Sequence, residues 1–258
     1  MNKTLKKVLQ ILISLIFWFA VWAIASYRVN SEFLLPSPIN TLKIVGELIC
    51  SSEFWALALN TLHRIFLGIL YAVLSGIFLA VLTTRFSFAD ILIAPAMSAV
   101  KATPVASFAF LAVLFISHDL LPIFIAALLV VPIVWTNVST GIRSVSPEHK
   151  QVAQIYRLSL PKQITKLYIP SVLPYFLAAC RSAIGLAWKA GVAAEVLCPP
   201  RSAIGTELYF AKTYLETDKL FAVTLLTIIF SIILEKMILL LISKLPIRTA
   251  SVNSEVRT

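Results

Sequence analysis

Residues 65–84 read IFLGILYAVLSGIFLAVLTT, twenty positions in a row without a charge. A helix of about 20 residues rises about 30 Å, the thickness of a bilayer's hydrocarbon core. Gly68, Ala72, Gly76 and Ala80 stand in it at a strict stride of four. That spacing leaves one helix face nearly bare, and bare faces let two helix backbones approach closely in lipid. The stretch predicts a membrane-spanning helix with a helix–helix seam along one side.

The rest of the chain agrees. Of 258 residues, 59% are apolar and 13% charged, against about 45–50% and about 25% in soluble domains. The mean hydropathy is +0.92. Further apolar runs occupy 8–27, 91–117, 120–142, 171–194 and 220–243. The third in chain order is interrupted by Pro95, Lys101 and Pro104, so its membrane part is expected at 100–117. Glycine is scarce and no run alternates with period two, which leaves helices as the way to satisfy backbone groups in lipid. The expected fold is all-α with six transmembrane helices. Residues 1–60 would hold the first span and an outer interfacial helix, 61–245 a core of five spans, and 246–258 a short tail.

Lys3, Lys6 and Lys7 precede the first run, but the run is too long for a signal peptide and no small-residue cleavage site closes it. With the N-terminus inside, thirteen Lys and Arg flank the spans on the inner side and six on the outer. This bias predicts both termini in the cytoplasm. It also accounts for the net charge of +10 without a nucleic-acid partner, since no basic groove with interleaved aromatics is visible. On the outer side Ser37 and Pro38 are placed to start a helix, with Ile39, Leu42, Val45 and Ile49 near helical spacing. Cys50 and Cys198 fall on one side of the membrane and either pair or stay unpaired, as Cys180 does. His63, His118 and His149 lie far apart, and no metal spacing exists.

One polar island interrupts this chain: residues 146–174, SPEHKQVAQIYRLSLPKQITKLYIPSVLP. Val152, Ile155 and Tyr156 share a helical face, Leu160-Pro161 breaks the pattern, and Ile164, Leu167 and Tyr168 repeat it. Pro170 is expected to end the second segment and Pro174 to begin the fifth span. Two short amphipathic helices across the cytoplasmic face follow. On periodicity alone they are either a docking surface or a membrane-surface pair.

The island resembles the cytoplasmic coupling loop of permease subunits of bacterial ABC importers, whose signature runs Glu-Ala-Ala, three residues, Gly, nine residues, Ile-x-Leu-Pro. The matching positions are Gln151-Val152-Ala153, then Arg157, then Leu167-Tyr168-Ile169-Pro170, with Tyr156 beside them and the spacing kept. LLPSP at 34–38, TLHRIFLG at 61–68, AAEV at 193–196 and Ile204-Gly205 resemble the nitrate/sulfonate/taurine branch of that family. The resemblance implies a multi-pass subunit of the bacterial plasma membrane, paired with a second permease copy. It further implies separate ATPase subunits that bind ATP, no cofactor on this chain, and an extracytoplasmic solute-binding protein. Solutes in that branch include nitrate, sulfonates, taurine and vitamin precursors. Two positions depart: Gln151 replaces the acidic residue and Arg157 the glycine. Because glycine makes the turn most easily, the bend is expected to move to Leu160-Pro161.

Charges inside spans are costly and so mark function by default. Lys101, Arg181 and Lys189 qualify, with Glu195 at the outer end of the fifth span. On an ideal helix Arg181 and Lys189 stand about 80° apart, and Arg181 and Glu195 about 40°, so one flank of that span is charged. Lys189 and Arg181 either line a path for an anionic or zwitterionic solute, or Arg181 snorkels while Lys189 pairs with Glu195 or a neighbouring helix. Lys101, near the start of its span, is expected to snorkel. Trp188 is a gate or a packing residue. No GxxxxGK[ST], HExxH or GxSxG motif occurs, which fits a transport subunit better than an enzyme. A stand-alone secondary transporter or channel is the other reading, although no repeat relates the two halves.

Overall fold

The computed structural model describes residues 3–243 and is helical throughout its regular elements. The 246–258 tail lies outside the described residues. The helices are α1 Lys3–Val29, α2 Pro38–Cys50, α3 Ser52–Arg85, α4 Ser87–Ala102, α5 Val105–Ala112 and α6 Leu121–Arg143. They continue with α7 Pro147–Ile155, α8 Leu160–Gln163, a π-helical turn Ile164–Tyr168, α9 Ile169–Leu197, α10 Ile204–Thr213 and α11 Thr217–Ser243. Five are long and apolar enough to cross a bilayer, and the bent pair α4–α5 makes a sixth if counted as one span.

The bare face of α3 is the seam that organises the bundle. Gly68, Ala72, Gly76 and Ala80 are all buried against α6. A Cβ on Gly68 would meet the Ile123 carbonyl oxygen at 2.7 Å, and one on Gly76 the Val134 Cβ at 2.8 Å. Real Cβ atoms do not tolerate such approaches, so the glycines set the α3–α6 distance. α6 also packs along α9, which makes it the middle element of the core. Val130, Val134 and Val138 of α6 and Ala183, Ala187 and Val192 of α9 belong to one buried cluster with α3.

Several expectations need correction. The third span is no single helix centred on 100–117: α4 and α5 meet at a 105° bend, placed where Pro104 lacks the N–H that would carry α4 onward. Pro170 does not end a segment. The chain runs from α8 through the π turn straight into α9, because the wider turn makes room for a ring that would clash with the carbonyl four residues back. α2 starts as foreseen, with the Ser37 hydroxyl accepting from the Asn40 N–H at 3.2 Å. It buries Thr41 and Val45 and leaves Ile39, Leu42 and Ile49 exposed. The boundary expected at 60–61 falls inside the unbroken α3.

Candidate functional site

The loop between α6 and α9 is built by caps. Ser146 accepts from the His149 N–H at 3.3 Å to start α7, and Pro147 suits its first turn. The Glu148 carboxyl is held below its usual range by its own backbone N–H and by the Ser146 hydroxyl. α7 ends at Arg157, which takes a left-handed φ of 47°. There the Arg157 N–H donates to the Gln154 carbonyl and the Leu158 N–H to the Ala153 carbonyl, both at 2.9 Å. This pair of bonds is the Schellman termination, whose C′ residue is usually glycine. The bend therefore does not move to Leu160-Pro161: it stays at Arg157, which accepts a backbone conformation glycine would adopt at lower cost.

That geometry fixes what α7 shows. Ala153 is buried, whereas Val152, Ile155 and Tyr156 are exposed, the last two by 77% and 75%. Gln151, Arg157, Ile169 and Pro170 are exposed and Leu167 is half-buried. The loop thus presents an apolar patch, edged by basic residues, at the end of the bundle where α3 and α6 finish.

At the opposite end three separated motifs meet. The Glu195 side chain is fully buried. Its Oε2 accepts from the Thr61 hydroxyl at 2.9 Å and from the Gly205 N–H at 3.1 Å. Thr61 Oγ1 in turn accepts from the Ile204 N–H at 2.9 Å. Ala203, the N-cap residue of α10, offers no side-chain cap, so two orphan N–H groups of α10 are satisfied from other elements, that of Gly205 by Glu195 of α9 and that of Ile204 by Thr61 of α3. Gly205 is required there, since a Cβ would overlap the Glu195 side chain. Arg64 Nη1 lies 3.7 Å from Glu195 Oε1 and donates to the Ser202 carbonyl at 2.8 Å, while Nη2 pairs with Asp119 at 3.0 Å. Asn60 donates to the Ser202 hydroxyl at 3.0 Å. α3, α9, α10 and the α5–α6 connection are pinned together at this point.

The remaining charged residues separate. Lys189 does not pair with Glu195, whose partners are those just named. It is exposed on α9 and lines a cavity between α9 and α11 together with Trp188. Trp188 is buried, its indole N–H donates to the Thr227 carbonyl at 3.1 Å, and its ring meets Phe230 edge-on at 6.2 Å. Arg181 is exposed. Lys101 sits in the last turn of α4, not at the start of a span, and its ammonium donates to Thr136 on α6 at 2.8 Å. Sequence reasoning missed Thr61, Arg64 and Asp119 as a site. The TLHRIFLG stretch held the first two, but nothing in one sequence shows that they face a carboxylate over a hundred residues away.

These features define a multi-pass helical membrane protein with a capped loop at one end and a buried polar knot at the other. The chain belongs to the family of binding-protein-dependent transport system inner membrane components, whose model matches residues 72–245. It is 27% identical to a Bacillus subtilis permease named for aliphatic sulfonates transport, over 79% of this chain and 74% of that one. It is 28% identical to a nitrate import permease of Synechococcus elongatus, over 76% and 74%. The fold matches the crystal structure of a bacterial ABC transporter involved in import of the acidic polysaccharide alginate, with a TM-score of 0.65 at 15% identity over 93% of this chain and 96% of that one.

Proposed function

We propose that this permease works as one of two identical copies around a central path, with the α7–α8 loop seated on a separate subunit that binds and hydrolyses ATP. ATP-driven closure of two such subunits pushes the loops and tilts the spans, so that the path opens alternately to each side. A solute-binding protein delivers the solute at the end that carries the polar knot. Both termini and the loop face the cytoplasm. The solute is small and anionic or zwitterionic, in keeping with the sulfonate and nitrate named for the relatives.

The observation that carries this reading is the exposed apolar patch of Val152, Ile155 and Tyr156 on a rigidly capped helix. Apolar side chains held out on a polar, basic loop favour a protein partner, because burying them is stabilising. The charged flank of α9 supports a second copy, since Arg181 and Lys189 cannot face lipid at low cost. Copurification in detergent with the ATPase encoded nearest to this chain tests the docking. Wild type is expected to retain the ATPase, and Ile155→Asp or Tyr156→Asp to lose at least tenfold of it. Retention in both variants at wild-type levels would refute the docking role.

A further inference from the structure

The end of the bundle that carries the α7–α8 loop also holds an apolar groove with a cation at its rim. The groove, of about 580 Å3, lies between α3, α6 and the start of α9. Ile77, Val81, Val138, Ile142, Val172 and Phe176 form its walls, joined by Ile164 and Tyr168 of the π turn. Contacts at glycines fix the relative heights of these residues. Gly68 and Gly76 of α3 meet Ala126 and Val134 of α6, while Val172 and Gly191 of α9 meet Gly141 of α6 and Ile65 of α3. α3 and α6 therefore run the same way, and α9 runs back between them and the loop. Ile77, Val138 and Phe176 lie at the deep end of the groove, and Arg85, Ile142 and Ile164 lie toward the loop. From Ile77 to Arg85 the lining extends about 12 Å along the helix axis.

Charge sorts along the same axis. Among the described residues no carboxylate lines the groove, and the Thr84 hydroxyl in its wall is spent on the Ala80 carbonyl at 2.7 Å. Arg143, the other arginine at this end, is neutralised by Asp90 at 2.8 Å. Arg85 has no ion pair among the described residues and lies 5.7 Å from the centroid of the Phe86 ring. We propose that the groove binds an anionic phospholipid, with one acyl chain between α3 and α9 and the phosphate on Arg85. The deep end belongs to the uncharged run 65–84 and so lies at hydrocarbon depth, which a polar segment of a soluble partner does not enter at low cost. Arg85 follows that run at headgroup level, where a guanidinium can hold a phosphate through two parallel N–H donors. A long apolar chain ending in one negative group matches this order of wall and rim. A zwitterionic lipid has the same chains but brings its own cation to Arg85. Because Ile164 and Tyr168 form one wall, the bound chain bridges α3 and the segment that leads from the loop into α9.

Native mass spectrometry of the full chain tests this, after delipidation in detergent and titration with dioleoyl phosphatidylglycerol or dioleoyl phosphatidylcholine. The two lipids share their chains and differ in net charge. Wild type is expected to retain one phosphatidylglycerol at least tenfold more tightly than phosphatidylcholine. Arg85→Gln should erase that preference, and Val81→Trp, which fills the groove, should weaken both lipids at least fivefold. Arg201→Gln, an exposed arginine at the other end, should leave the preference intact. Equal retention of the two lipids by wild type overturns the proposal whether or not the variants fold, and so does an unchanged preference in Arg85→Gln. Three further results overturn it by naming another occupant. Oleate bound as tightly as phosphatidylglycerol marks a fatty-acid site. A fall in the dimer fraction of Val81→Trp with lipid retention unchanged marks a contact between copies. Loss of the copurifying ATPase from Arg85→Gln with lipid preference unchanged marks part of the docking surface. The lipid preference is read on the chain alone, so it stands or falls separately from the coupling reading.

Discussion

At the residue scale, Arg157 and Glu195 are the two positions where the structure departs most from what a single sequence suggests. Arg157 holds a left-handed φ that costs a non-glycine residue about 1–2 kcal/mol. Arg157→Gly is therefore expected to stabilise the protein by about 1 kcal/mol, read as a higher unfolding midpoint in detergent, without loss of ATPase copurification. Glu195 shows the opposite balance. Glu195→Ala would strand the Thr61 hydroxyl, the Gly205 N–H and one side of Arg64, a loss of about 3 kcal/mol, read as a lower midpoint and a smaller folded yield. Glu195→Gln keeps one acceptor oxygen and should fall between the two. The sequence displayed Glu195 as one charge on a charged flank. Its burial was not legible, because burial depends on α3 and α10 closing over it, and both are remote in the chain.

At the element scale, spans and the α2 cap were legible, and the break in the third run was visible without its 105° geometry. The stride of Gly68, Ala72, Gly76 and Ala80 is a local pattern with a direct packing meaning, and it became the α3–α6 seam. Ser37 acts as the cap expected of it, and the structure adds Ser146 as the cap of α7. The prolines carried less information, because their effect depends on context: Pro104 bends the α4–α5 pair, while Pro170 is absorbed by a π turn. The seam itself can be tested with paired glycines. Gly68→Ala drives a Cβ to 2.7 Å from the fixed Ile123 carbonyl oxygen, an overpacking expected to cost about 1–3 kcal/mol. Gly46→Ala in α2 meets nothing within 4 Å and should gain up to about 1 kcal/mol of helix propensity. Thermal unfolding of the two variants in one detergent should move the midpoint in opposite directions.

At the scale of the whole molecule, the bundle has two ends of different character. One carries the capped apolar patch of α7, and the other the knot that ties α3, α9, α10 and the α5–α6 connection. The proposed topology, which rests on the positive-charge bias, puts the first on the cytoplasmic side. Cys50 is exposed at the end of α2, and Cys198 is buried, which also pushes its thiol up. A membrane-impermeant maleimide added to intact cells should therefore label Cys50 readily and Cys198 slowly. A cysteine introduced at Tyr156 should react only after permeabilisation. Labelling of that position in intact cells would invert the topology and remove the cytoplasmic docking site.

The division between a chain that moves solute and a partner that supplies energy is tested most directly by uptake into proteoliposomes. The vesicles would hold this permease with its ATPase, with the solute-binding protein and labelled solute outside and ATP enclosed. Uptake is predicted to require all three proteins and ATP hydrolysis, and to fall at least tenfold with Ile155→Asp in the loop. Equal uptake by the permease alone, down a gradient and without ATP, would contradict the account and make the chain a channel or secondary transporter.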